Sequence, residues 1–382
     1  MAEPARLQSL DVLRGATIAA MVLVNDPAMG PPYLYHQLTH SPWNGWTFAD
    51  TIFPAFLFMV GVAMPFSLAR HLDGRAPKRS ALLRIGRRVL LLVALGLLVN
   101  GFPLLLGDGH SVLGTLRLPG VLQRIAIAYL VAAVAVLFLR PRHQAVLAAA
   151  LLVGYWAALR WAPVPGYGAG SLTPHGNLAA WVDRTVFGRD HMYGGGVPGY
   201  DPEGLLGSVV AAAGVLFGNW AGMLLRARHP RRFTVAVLLT AAVGASGAGL
   251  LWSHDVPINK RMWTPSYVLL MTGLCLAALA LCHVVFDRRS RVAGAAGLPF
   301  RVLGANAVVV YFGSELSAAA LAHYHHAVKG IPDAPIPFWI WLRYLTAPFG
   351  TTGGALAYAG AVLLLWWIGL AVLYRRRWFL RV

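Results

Sequence analysis

The chain is poor in cysteine, in acidic residues and in charge altogether. Its two cysteines, Cys275 and Cys282, fall seven residues apart in one apolar run of a 382-residue sequence. That spacing makes neither a disulfide framework nor a metal-ligand pattern. The histidines near 323 to 326 form no recognised metal pattern either, and no metal is expected. No P-loop occurs, nor a Gly-rich dinucleotide turn after a strand, nor paired Cys-x-x-Cys motifs, nor a fixed-period repeat. These absences exclude a soluble nucleotide-binding or redox domain and leave the chemistry to residues embedded in a membrane.

What the chain has in excess is apolar length. Hydrophobic residues make up 58% and charged residues only 12%, and the apolar residues come in long runs. That composition indicates an all-α, polytopic transmembrane helix bundle. Windows near the required length of about 20 residues fall at 9 to 28, 48 to 69, 84 to 106, 120 to 139, 144 to 162, 205 to 225, 233 to 252, 264 to 286, 300 to 322 and 354 to 374. Ten spans are therefore expected. Ile336 to Leu345 is too short to cross and reads as re-entrant or interfacial, or as part of an eleventh span. The chain is expected to be a single domain over residues 1 to 382, with one long outer loop at 162 to 204.

Lys and Arg number 32 against 14 Asp and Glu, a net charge of +18. With ten alternating spans, 22 of the basic residues fall on the side that holds the two termini, Arg6, Arg288, Arg289 and Arg381 among them. Nine, Lys329 among them, fall on the other side, and Arg14 lies inside the first span. This is the positive-inside bias, so the charge reports topology rather than a nucleic-acid surface. Both termini are expected to be cytoplasmic. No cleavable signal peptide is expected, because Asp11 and Arg14 flank the first apolar segment and no small-residue cleavage site follows.

Polar residues at the edges of the spans are the candidates for chemistry, because they are costly to keep there. The densest group is Tyr33 to Asp50, between the first two spans. His40 can take a proton or act as a nucleophile, and Asp50 can fix its tautomer. His36 competes for that role. Trp43 and Trp46 can stack on a sugar, although tryptophan is enriched at membrane interfaces in any case. Asn25 can donate to a developing oxyanion, but Asn-Asp-Pro is also an ordinary helix end. Asp11 and Arg14, three apart, can satisfy each other on one helix face. Arg14 can equally offer a guanidinium to a phosphate. Arg124 is a costly charge near the outer end of the fourth span, with Asp50 as a candidate partner. Glu315, Asn306 and His283 can bind ligand or join helices. The 162 to 204 loop is long enough to be functional, and a solvated linker is the plain alternative.

The ordered motifs resemble a known family. Ser9-Leu-Asp-Val-Leu-Arg-Gly15, Val24-Asn25, His40-Ser-Pro-Trp-Asn-Gly-Trp-Thr-Phe-Ala-Asp50 and Phe53-Pro-Ala-Phe-Leu-Phe look like the heparan-α-glucosaminide N-acetyltransferase family. Gly120-Val-Leu-Gln-Arg124, Tyr200-Asp-Pro-Glu-Gly-Leu-Leu206, Pro257-Ile-Asn-Lys-Arg-Met-Trp-Thr264 and Gly304-Ala-Asn-Ala307 continue it in order. The resemblance implies transfer of acetyl from cytosolic acetyl-CoA to a terminal glucosamine amine across a membrane. It gives the active-site histidine to His40 rather than His36, the asparagine to Asn25 and the motif aspartate to Asp50. Arg14, Arg87, Arg88 and Arg124 are the expected acetyl-CoA contacts. Trp43, Trp46, Asp201, Glu203 and Lys260 are expected on the acceptor side. Compared with the lysosomal enzyme, the N-terminal luminal domain and the span after it are missing, which points to a bacterial inner-membrane homologue with a periplasmic sugar acceptor. Membrane lipid is the expected surround, nucleic acid is not a partner, and a homodimer is compatible with the sequence. An O-acyltransferase acting on an exopolysaccharide or lipid-linked sugar, and a secondary transporter, are the alternatives. The transporter finds no support in an inverted repeat.

Overall fold

The computed structural model describes residues 7–107, 112–195, 199–287, 291–328 and 331–380. Arg6, Arg288, Arg289, Lys329 and Arg381 of the charge pattern lie outside the described residues. The helices are α1 (Gln8–Asn25), α2 (Ala49–Ser67), α3 (Ala69–Leu72), α4 (Lys78–Leu106), α5 (Val112–Thr115), α6 (Val121–Phe138), α7 (Pro141–Trp161) and α8 (Leu178–Phe187). They continue as α9 (Leu205–Arg226), α10 (Arg231–Trp252), α11 (Pro265–Phe286), α12 (Arg291–Ala305), α13 (Ala307–His323), α14 (Ile336–Ile340) and α15 (Thr346–Arg375). Two small antiparallel hairpins, β1 (Pro163–Val164) with β2 (Gly168–Ala169) and β3 (His325–Val328) with β4 (Ile331–Pro335), are the sheet present among the described residues. The protein is an all-α integral membrane protein.

Each of the ten apolar windows falls on helix. Among the described residues, eight helical stretches are long and apolar enough to cross a bilayer, and the pair α12 and α13, bent by 65°, makes nine if it is one span. α1 falls outside that class because Gln8, Asp11, Arg14 and Asn25 dilute its 18 residues. The bend between α12 and α13 sits at Asn306, a buried side chain whose amide donates to the Trp378 carbonyl and whose oxygen accepts from the Leu380 amide. A buried amide satisfied on both sides fixes the C-terminal tail against the broken helix. The segment expected to be re-entrant or interfacial is α14 followed by one π-helical turn, Trp341–Leu345, and it runs on into α15. The break in this long helix comes later, at Gly350, where φ is 70°, a left-handed conformation that glycine adopts without penalty.

α9 packs at the centre, against α2 on one side and α6 on the other. Its contact with α2 is made through glycines. A Cβ on Gly61 would lie 2.0 Å from the Val215 carbonyl oxygen, and one on Gly218 would lie 2.1 Å from that of Phe58. Small residues let membrane helices approach closely enough for backbone van der Waals contact. α1 and α12 meet the same way, with Gly15 against the Phe300 carbonyl. Cys275 is buried and Cys282 half-buried, both as free thiols.

The long connection after α7 is more ordered than its composition implies. It holds the β1–β2 hairpin and α8, whose N-cap Asn177 accepts from the Ala180 amide at 2.9 Å. This is a standard capping bond, but a ten-residue helix inside a Gly-rich stretch leaves little periodicity to read.

Candidate active site

His40 follows a short 3₁₀ turn, His36–Leu38, and Asp50 sits in the first turn of α2. The loop between them folds back so that the Asp50 carboxylate collects the donors. Its Oδ1 lies 2.8 Å from His40 Nδ1. Its Oδ2 accepts from the amides of Ser41 and Thr47, each at 3.0 Å, and from the Thr47 hydroxyl at 3.2 Å. The carboxylate is 1% exposed and the imidazole 43%. A buried carboxylate acts as an acceptor, so Nδ1 carries the proton and Nε2 carries the lone pair. His36 is exposed.

Pro54 adds a second constraint. Lacking an N–H, it leaves the Asp50 carbonyl without its usual helical partner. The Tyr267 hydroxyl on α11 donates to that carbonyl at 2.6 Å. The first turn of α2 is thus fixed from outside as well as from the loop.

Lys260 reaches the same carboxylate from the connection between α10 and α11. The Gly45 amide donates to the Ile258 carbonyl at 2.7 Å, and the Asn259 amide group donates to Asn44 Oδ1 at 3.1 Å, joining the two loops. Trp263, whose φ is 57°, is buried against Phe53 and Tyr267. A tryptophan held in the left-handed region is strained backbone that the surrounding packing must maintain. Lys260 Nζ lies 3.4 Å from Asp50 Oδ1 and 3.0 and 3.3 Å from His40 Nδ1 and Nε2. The in-plane directions of the two ring nitrogens diverge, so an ammonium nearly equidistant from both lies against the ring and not along the Nε2 lone pair. Its charge partner is the carboxylate. Burial pushes the Lys260 ammonium below its ordinary pKa, against the opposing pull of Asp50 and Glu203.

These groups open onto a cavity of about 440 Å³. Asn25, His40, Lys260 and Glu203 line it, and so do Arg14 and Arg88. Arg14 and Asn25 are eleven residues apart on α1, so the cavity follows that helix for about 16 Å at 1.5 Å per residue. Its middle is apolar, with Ile18, Met21, Phe56 and Leu122 among its walls. Arg14 Nη1 lies 3.6 Å from Asp11 Oδ1. Arg88 stacks over the Tyr129 ring at 4.6 Å, and its buried Nε has no hydrogen-bond partner. Asn25 donates to Glu315 Oε1 at 3.1 Å.

The remaining expected contacts are distributed differently. Arg87 is exposed and does not line this cavity, because the face of α4 that it occupies points away from Arg88. Arg124 is buried at 1% exposure and does not pair with Asp50. It donates to the Pro202 carbonyl at 2.7 Å and to the Ser208 hydroxyl at 3.2 Å, with the Trp263 ring 4.5 Å away. Asp201 is taken up by Arg117, at 2.7 and 2.8 Å, and by the amides of Tyr193 and Glu203. It therefore offers no free carboxylate to an acceptor. Arg117 also holds Glu203, at 2.5 Å. Burial alone would raise the Glu203 pKa, but the adjacent Arg117 holds it below its ordinary value. The same two carboxylates raise Arg117 despite its burial. Trp43 donates to the Leu172 carbonyl and packs edge-on against Tyr200, whereas Trp46 is 40% exposed. Arg117 and Tyr267 carry no sequence signal that singles them out. Among the described residues no cluster of metal-ligating side chains occurs.

Residues 6–173 match the family model described as heparan-alpha-glucosaminide N-acetyltransferase, catalytic. The chain is 30% identical over 361 residues to heparan-alpha-glucosaminide N-acetyltransferase of Homo sapiens, covering 82% of this chain and 53% of that protein. It is 28% identical over 403 residues to the Mus musculus protein of the same name, covering 89% and 59%. The chain thus spans little more than half the length of the curated relatives it matches. His40, Asp50, Asn25, Arg14 and Arg88 all lie within residues 6–173, and by these matches the chain is similar to the heparan-α-glucosaminide N-acetyltransferases.

Proposed function

We propose that the chain is a transmembrane acetyltransferase that moves acetyl from cytosolic acetyl-CoA to an amino sugar, a terminal glucosamine or its like, on the other side of the membrane. The observation that carries this reading is one cavity lined both by the His40 group with Asn25 and by Arg14 and Arg88, with Arg14 eleven residues from Asn25 along α1. A donor whose phosphates meet Arg14 and Arg88 is neutralised by charge-assisted hydrogen bonds. The apolar middle accommodates the flexible arm of the donor, so the thioester reaches the histidine without the nucleotide crossing. The orphaned Nε of Arg88 is a donor in want of such an acceptor.

At the His40 group the residues divide the work. Asp50 holds His40 in the tautomer whose Nε2 can accept the proton of the attacking amine. Lys260 balances the buried carboxylate and adds positive charge where the thioester oxygen becomes negative, and the Asn25 amide is a second donor for that oxygen. Glu203, held by Arg117, lines the wall from which an acceptor approaches. The positive-inside bias supports placing the Arg14 end in the cytoplasm and His40 on the far side, which in a bacterial cell is the periplasm. The same geometry allows His40 Nε2 to take the acetyl group first.

Purified protein supplied with labelled acetyl-CoA and a panel of amino sugars tests the reading. Label is expected on an amino sugar with the native chain and not with His40→Ala. Equal transfer by the variant removes His40 from its role. No transfer to any acceptor, together with solute uptake in proteoliposomes, favours a transporter. Trapping of acetyl on His40 before acceptor is added establishes the two-step route, and strictly sequential kinetics exclude it.

A further inference from the structure

A second cavity, of about 450 Å³, lies on the other side of Asn25. It is bounded by Asn25 to Met29, the C-terminal half of α13, α14 and α15. Leu321, Phe338 and Val362 give it mostly apolar walls. Among its polar lining residues Asp26 is only 6% exposed and has an Oδ2 without a hydrogen-bond partner. A buried carboxylate oxygen without a donor is costly to maintain in a fold. Glu315 adds a second carboxylate close to the first. Asn25 lines this cavity and the donor cavity alike.

We propose that this cavity receives a primary ammonium group, the amine of the acceptor, and that Asp26 takes the first of its protons. The proposal rests on the acetyl-transfer reading above and identifies how that site admits its acceptor. An ammonium has no lone pair and cannot attack a thioester. Its nitrogen must lose two protons for each acetyl gained, and His40 accepts one of them and passes it to the departing thiolate. The other N–H bond breaks at Asp26, an O–H bond forms there, and the electron pair stays on nitrogen, leaving a neutral amine beside Asn25. That proton later returns to the outer solvent. A metal cation fits poorly, because it needs about six oxygen ligands and the polar side chains here are few. An ammonium needs only a few acceptors and gains from two neighbouring carboxylates.

The titratable groups that face Asp26 are Glu315 on α13 and Tyr358 on α15. α14 brings none, and Asp333 on β4 is engaged by His325. The test is equilibrium binding to the full chain in detergent, with glucosamine as the water-soluble probe, an alkyl glucosaminide as the lipid-borne one, and glucose and an alkyl glucoside as their uncharged controls. The amine of at least one pair is expected to bind about tenfold more tightly than its control, the size of one charge-assisted contact. The pair that shows the preference identifies the source of the ammonium. Asp26→Asn is expected to abolish it while acetyl-CoA binding and the melting midpoint hold. In turnover the same variant is expected to lose about tenfold in kcat/KM at about pH 6 and to recover at about pH 9, where amines of this kind are already neutral. If Asp26→Asn does not fold, Glu315→Gln is expected to reduce the preference in the same direction.

Retention of the preference in the variants, equal losses at both pH values, or displacement by sodium with no amine preference overturns the proposal. If the native chain binds the amine through Asp26 but transfers no acetyl, the acetyl-transfer reading fails and the ammonium site stands. If it transfers acetyl and Asp26→Asn changes neither binding nor the pH profile, only the ammonium site fails.

Discussion

Replacing Asp50 by Asn changes one atom of the site and tests its logic most directly. In the native arrangement Oδ2 faces three donors, the amides of Ser41 and Thr47 and the Thr47 hydroxyl, while Oδ1 faces His40 and Lys260. An asparagine cannot place its NH₂ group against three donors, so its oxygen takes the Oδ2 position and the NH₂ turns to His40. The imidazole must then accept at Nδ1 and carry its proton on Nε2, which removes the lone pair from the cavity. Lys260 also loses its carboxylate. Loss of general-base function is worth about 10²- to 10⁴-fold, or about 2.7 to 5.5 kcal/mol in the barrier. The fold loses a charge-assisted contact of about 1.5 to 3 kcal/mol. Labelled acetyl transfer to glucosamine measures the first quantity and thermal unfolding in detergent the second. Transfer within about threefold of native, in a variant of normal donor affinity, would refute the tautomer argument.

Three further outcomes follow from the same geometry. Arg88→Gln is expected to raise the KM for acetyl-CoA about tenfold to 100-fold with kcat nearly unchanged, the effect of one lost charged contact. An unchanged KM moves the phosphate site elsewhere. Gly218→Ala pushes a methyl to within 2.1 Å of the Phe58 carbonyl and is expected to destabilise the protein by about 1 to 3 kcal/mol. Gly214→Ala, which meets nothing within 4 Å, is the control, and equal melting of the two variants denies the close approach of α2 and α9. Asp183, on α8 outside the spans, is pushed up to about 7 by burial. Because its folded pKa lies above its unfolded value, its contribution to stability is present at low pH and is lost as pH rises from about 4 to about 7. Asp183→Asn is expected to flatten the melting midpoint over that window, and a midpoint that falls as in the native chain would contradict it.

The spans were legible because a bilayer demands length and apolarity, and α4, α6 and α11 each contain a long window that supplies both. α1 is recognisable despite its charges because Asp11 and Arg14 are three apart and settle on one face. The weaker readings concern side chains whose environment depends on distant chain. Arg124 and Asp50 are both buried charges near one end of the bundle, and pairing them by sequence was reasonable. The backbone decides otherwise, since the Pro202 carbonyl and Ser208 meet the guanidinium first. Asp201 and Glu203 read alike as acidic loop residues two apart. Only the position of Arg117, 84 residues before Asp201, turns one into a fully engaged support and leaves the other on the cavity wall.

The choice between His36 and His40 shows where local sequence stops and tertiary structure begins. Four residues apart, both lie near a membrane boundary among aromatics, and residue chemistry alone keeps both in play. His40 is separated from its neighbour by what converges on it: a carboxylate from α2, a lysine carried in by the Asn259–Asn44 contact, and a cavity that its ring lines. Each of these comes from a different part of the chain. The Asp50 carbonyl, released by Pro54 and held by Tyr267, shows that even the helix start is adapted to keep the carboxylate in place. A histidine serving only as an interfacial residue would need none of these supports, because water and lipid headgroups would satisfy it. The convergence of independent constraints on one imidazole is therefore the physical argument for its chemical role.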